Sequence, residues 1–105
     1  MDENKLKQLL QKVIKATEAK KLDWQKNTKS ETSFKAILGS NTLHIIKVDE
    51  ITFAFLIINE DGDQIGSIQE EFSTELENLY DLAKRRALRI DENLEDIDSL
   101  LDSLL

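Results

Sequence analysis

Between residues 3 and 20, Leu6, Leu9, Leu10, Val13, Ile14 and Thr17 recur at steps of three and four, while Lys5, Lys12 and Lys15 fall on other sides. With 3.6 residues per turn this spacing gathers the apolar set on one face, so the segment predicts an amphipathic helix. The polar stretch from Lys20 to Thr32 is interrupted only by Leu22 and Trp24. Its Asn, Ser and Thr content predicts a loop with two hydrophobic anchors, and Trp24, the sole tryptophan, is expected to pack over one end of the core.

At Ser33 the period changes to two. Phe34, Ala36 and Leu38 share one side, Gly39-Ser40-Asn41 supplies turn residues, and Leu43 and Ile45 resume the same side in a second strand. Asp49-Glu50 makes the next turn, and Thr52 to Ile58 reads as a third strand rich in β-branched and aromatic residues. Asp61-Gly62 predicts a type I′ turn, whose two central residues both need positive φ, leading into a fourth strand over residues 64–69. The sum is a four-stranded antiparallel meander. With a two-residue loop at Asp61-Gly62, Phe55 faces Ile68 on one side of the sheet, and Ile58 faces Ile65 on the other, together with Leu56. Both sides are therefore apolar. An antiparallel sheet ordinarily leaves one side to water, so either helices cover both sides or a second copy covers one, and self-association is expected on this ground.

The last helical region opens at Phe72–Glu77, where Thr74 and Glu77 have capping-box spacing and acids occupy the first turn. Leu76, Tyr80, Ala83, Ala87, Ile90, Leu94, Ile97, Leu101 and Leu104 then alternate steps of four and three, a heptad-like seam. This is either one long helix or two, with a break near Ile90 favoured and Asp91 as the cap of the second.

Composition sharpens this picture. The chain has 105 residues, no Pro, no Cys and three Gly, which fits one domain without disulfides, thiolate metal sites or a cysteine nucleophile. No apolar stretch of signal-peptide type follows the charged start, and the longest apolar run, Phe53 to Ile58, is far short of a membrane span, so a cytoplasmic location is expected. The net charge of −7 is unevenly laid down: residues 1–48 carry ten Lys against five acids, and residues 49–105 carry four bases against sixteen acids. An acidic chain is repelled by phosphate backbones and anionic lipid, so no nucleic-acid or membrane partner is expected, whereas a basic protein partner fits.

Few residues carry candidate chemistry. His44, the only histidine, lies on a predicted strand with no second His or Cys to complete a metal or nucleophile site. Asn59-Glu60-Asp61-Gly62-Asp63 has the look of a calcium loop, but aligning Gly62 with the sixth position puts Ile57 first and Ile68 last, where no oxygen ligand exists. There is no phosphate-binding loop, dinucleotide turn or paired-histidine motif. No catalytic residue, cofactor or metal is expected. Arg85 and Arg89 share a helix face and can grip a partner's carboxylate or phosphate, or pair with the flanking acids. From Asp91 to Asp102 there are six acids and no base, interleaved with leucines. Such a stripe is expected to pack on the protein's own sheet; the alternative is that it docks in a basic-rimmed apolar groove, with Asp96, Asp98 and Asp102 as candidate partner-binding residues.

The order Trp24, hairpins with Asp61-Gly62-Asp63, the run from Leu79 to Leu88 and a final acidic leucine helix resembles small bacterial proteins of uncharacterised function. That resemblance implies an α+β domain and transfers no activity. Size, acidity and element order are also loosely similar to bacterial secretion chaperones, whose additional strands and helix are not evident here. The fold expected is therefore α+β: an N-terminal helix, a four-stranded meander, and a helical C-terminal region on the sheet. The function expected is a non-enzymatic interaction module that forms a homo-oligomer, with an acidic chaperone or immunity-type protein for a basic partner as the alternative.

Overall fold

The amphipathic segment forms α1, Glu3–Glu18, and Leu6, Leu10, Val13, Ile14 and Thr17 on its predicted face are buried. The computed structural model describes residues 3–27 and 30–105; Met1, Asp2, Thr28 and Lys29, and with them part of the charged start and of the polar loop, lie outside the described residues. After α1 come β1 (Gln25–Lys26), β2 (Ser33–Leu38), β3 (Asn41–Lys47), β4 (Thr52–Ile58) and β5 (Gln64–Glu71), then α2 (Thr74–Ala87) and α3 (Ile90–Leu104). The class is α+β, and no helix among the described residues is long and apolar enough to cross a membrane.

The sheet has five antiparallel strands in sequence order, one more than the period predicted. The addition is β1, which pairs Gln25 with Lys35 and Lys26 with Phe34. Two residues show no period, so a strand made only by edge pairing reads as loop. Phe34, Ile45, Phe55 and Ile68 stand in one row across β2 to β5, as the Phe55–Ile68 pairing predicted. Both α1 and α2 lie over this side. Tyr80 of α2 packs against the rings of Phe34 and Phe53, with centroids 5.5 and 5.4 Å away. Trp24 is buried beside α1, and its indole N–H donates to the Thr17 hydroxyl at 3.0 Å; that hydroxyl in turn donates to the Val13 carbonyl at 2.7 Å. The opposite side carries Lys35, His44, Ile46, Leu56 and Ile58, each half-buried by its neighbours, and a fully buried Ala54. Helices thus cover one side of the sheet only.

Two local predictions are corrected. At the β4–β5 turn only Gly62 has positive φ (87°), so the turn is not type I′. Asn59 Oδ1 accepts from the backbone N–H groups of Asp61 and Asp63 at 3.0 and 2.9 Å, and the Gly62 N–H donates to the Asn59 carbonyl at 3.0 Å. This side-chain clasp builds a three-residue loop, and the extra residue must be absorbed downstream. Ile58 pairs with Gln64 and Ile57 with Gly66, leaving Ile65 as the bulge rather than opposite Ile58. At the start of α2 the cap is Ser73, whose Oγ accepts from the Leu76 N–H at 3.2 Å, one residue ahead of the Thr74–Glu77 pair.

Candidate functional site

The seam breaks where the sequence favoured a break, but by a different device. Arg89 adopts a left-handed conformation (φ 52°), and α3 starts at Ile90 with Asp91 inside its first turn instead of at its cap. The corner is held by charge: Arg85 pairs with Asp91, while Arg86 and Arg89 each reach Glu92 at 3.8 Å. These side chains are substantially exposed, so each pair is worth at most about 1 kcal/mol, and their effect is to set the direction in which α3 leaves α2.

No residue of α3 is buried, so its leucine stripe does not pack on the sheet as expected; of the C-terminal helices α2 alone does, because the corner at Arg89 carries α3 off it. Leu94, Ile97, Leu101 and Leu104 are 55, 51, 52 and 82% exposed, and Leu100 is open as well. At helical spacing they form one continuous apolar face. Asp98 and Asp102, one turn apart, run along one border of it with Glu95, and Asp96 lies beyond the other border. Among the described residues none of these four acids makes an ion pair. Asp102 also sits in the last turn, where a negative charge opposes the helix dipole and where no base is present to offset it. A helix of 15 residues with so few tertiary contacts is only marginally stable by itself. Its apolar face is therefore the part of the molecule with most to gain from being covered.

Arg85 and Arg89 do not present a joint face. The break separates them, and both are engaged by acids at the start of α3. They line a cleft of about 130 Å³ against the end of α1, where Lys20 and Arg86 add positive charge and Glu18, Asp91 and Glu92 nearly balance it. His44 lies on the uncovered sheet side opposite Lys35 in β2 and Leu56 in β4. Partial burial and the Lys35 ammonium hold its imidazole below the ordinary histidine range. Among the described residues no three His, Asp or Glu side chains are placed to hold a metal ion.

A second apolar feature has no counterpart in the sequence reading. Between α1 and the turn end of the covered sheet side, Leu9, Val13, Leu38, Leu43, Ile57 and Ile65 line an open cleft of about 190 Å³. Leu38 and Ile65 at its mouth are exposed. Leu9, Val13, Leu38 and Leu43 were visible as periodic positions of separate elements, but their meeting was not; Ile65 arrives there through the bulge. Lys5 and Lys12 lie one turn from Leu9 on the same flank of α1, exposed and, among the described residues, in no ion pair.

The chain matches no protein-family model, no curated protein and no solved structure.

Proposed function

We propose that this chain is a non-enzymatic protein-interaction module that self-associates, with α3 as its docking element, in a cytoplasmic setting. The observation that carries this reading is an amphipathic helix whose apolar side chains from Leu94 to Leu104 all lie open, while Leu76, Leu79, Tyr80 and Ala83 of α2 are buried. Exposed apolar surface bordered by charge is characteristic of interaction sites, and a helix offering residues at i, i+3 and i+7 is the form that docks in grooves. A second reading, an acidic chaperone or immunity-type protein, draws support from the four acids of α3 that make no ion pair among the described residues, which suit a basic partner.

Capture from a lysate of the native host, comparing the wild-type chain with Ile97→Asp/Leu101→Asp, tests the reading. A partner, whether a second copy or another protein, is expected on the wild type and lost from the variant, with the same melting temperature for the two chains in dilute, monomeric samples. Binding indifferent to these two positions overturns it. The charge variant Asp96→Asn/Asp98→Asn/Asp102→Asn separates the second reading: with a basic partner it weakens capture and flattens its salt dependence, because attraction between exposed charges is screened over roughly 8 Å at physiological ionic strength.

A further inference from the structure

Taking α3 as a docking helix, we infer that its seat is on a second copy of this chain: the cleft between α1 and the sheet, with two copies exchanging their α3 helices reciprocally. The match is one of shape and sign. The helix offers leucine and isoleucine side chains in a row, and the cleft offers an apolar recess lined by Leu9, Val13, Leu38 and Ile65. Its volume of about 190 Å³ suits a leucine-sized group, since apolar cavities of about 150 Å³ accept a molecule as large as benzene. Along the border of the helical face stand Asp98 and Asp102, and along the flank of the cleft stand Lys5 and Lys12, all four without an intramolecular ion pair among the described residues.

Pairing α3 with α3 of a second copy would cover the same leucines. It would also bring Glu95, Asp96, Asp98 and Asp102 of each copy together, four acids without an ion pair among the described residues, and like charges across an interface oppose association. The exchanged arrangement instead sets Asp98 and Asp102 of one copy beside Lys5 and Lys12 of the other. It also accounts for the corner at Arg89, which turns α3 away from its own body so that the seat used is not its own. A reciprocal exchange closes as a two-fold dimer and leaves no open end for further growth.

Light scattering on the full chain over a concentration series, with two charge reversals, tests this. The wild type is expected to reach twice the chain mass. Asp98→Lys/Asp102→Lys alone, and Lys5→Glu/Lys12→Glu alone, are each expected to weaken the dimer by on the order of tenfold or more, because each sets like charges against one another at both seats. Mixed in equal amounts they are expected to form a heterodimer of near wild-type affinity, since every reversed helix then meets a reversed seat. All the substituted residues are exposed in the single chain, so unchanged circular dichroism and melting are expected alongside at dilutions where the wild type is itself monomeric. A dimer lost on Ile97→Asp/Leu101→Asp but indifferent to Lys5→Glu/Lys12→Glu overturns the seat and leaves α3 as the docking element. A chain that is monomeric at every concentration overturns the second copy as occupant; the docking reading then stands or falls on whether lysate capture depends on α3.

Discussion

Helices α2 and α3 carry one continuous pattern of apolar positions and meet opposite fates. Leu76, Leu79 and Ala83 of α2 are fully buried, whereas Leu94, Ile97 and Leu101 of α3, at the same kind of spacing, are each more than half exposed. The difference does not lie in amphipathicity, since both have a clear apolar face. It lies in what each face meets. The face of α2 lies over Phe34, Phe53 and the row through Ile45 and Phe55, while α3 leaves α2 at a left-handed Arg89 and meets no comparable surface of its own chain. A heptad-like period thus specifies that a helix has something to bury, and the path of the backbone specifies whether the chain itself supplies the cover.

The largest effect expected follows directly from that contrast. Leu79→Ala empties a fully buried position, at a cost of about 2–5 kcal/mol, while Leu101→Ala in a dilute, monomeric sample is expected to stay within about 0.5 kcal/mol of the parent. Urea denaturation of the two variants measures both. Equal losses would mean that α3 is packed in solution as firmly as α2, and would break the comparison.

A smaller effect asks how far the cooperativity of the body extends from the helices. At the tip of the β4–β5 hairpin, Gly62 has φ 87° with open space where a Cβ would stand, so Gly62→Ala introduces backbone strain and no clash. A loss of roughly 1 kcal/mol is expected. In thermal unfolding it appears as a lower melting temperature for the whole transition, because the strands of that hairpin carry Phe55 and Ile68 into the common core. A separate early transition for the hairpin would show that the tip melts independently of α1 and α2.

The smallest effect concerns the uncovered sheet side. His44 binds a proton less readily in the fold than in the unfolded chain, because burial and then the neighbouring Lys35 charge disfavour its cation. The unfolded state therefore takes up the proton first as pH falls. Stability is full above the ordinary histidine range, declines as pH drops through it, and levels off once the folded imidazole is protonated too. The wild type is expected to lose stability over this interval relative to His44→Gln, and parallel pH profiles for the two proteins would contradict the placement of His44 beside Lys35.

Much of the body was legible in the sequence for reasons that are local. Six positions of α1 repeat with the helical period, β2 to β4 alternate or run apolar between turn residues, and a two-residue turn at Asp61-Gly62 predicts Phe55 opposite Ile68, a pairing that the longer loop keeps only because the bulge at Ile65 restores the register. The misses are equally physical. Gln25 and Lys26 become a strand only because the edge of β2 is there to pair with them. Ile65 is diverted because Asn59 clasps the backbone of the following loop, a contact that residue type allows but does not require. An arginine is a poor signal for a left-handed backbone, so the device that ends α2 was hidden even though the break was not. Of the candidate residues, Asp96, Asp98 and Asp102 stand on a helix with no buried residue, although the sequence favoured its packing on the sheet, whereas Arg85 and Arg89 are divided by the corner and held by Asp91 and Glu92.

By itself the sequence determined the α+β class, the faces of the helices, the core row of the sheet and the separation of basic from acidic residues along the chain. These follow from periodicity and charge, which are properties of neighbouring residues. Only the tertiary structure decided that one side of the sheet stays uncovered, that α3 projects with its leucines exposed, and that Lys5 and Lys12 flank an apolar cleft. Those outcomes depend on the direction of the chain after Arg89 and on one extra residue at Ile65. Direction and register are sums over many contacts distant in sequence, and no local pattern records them.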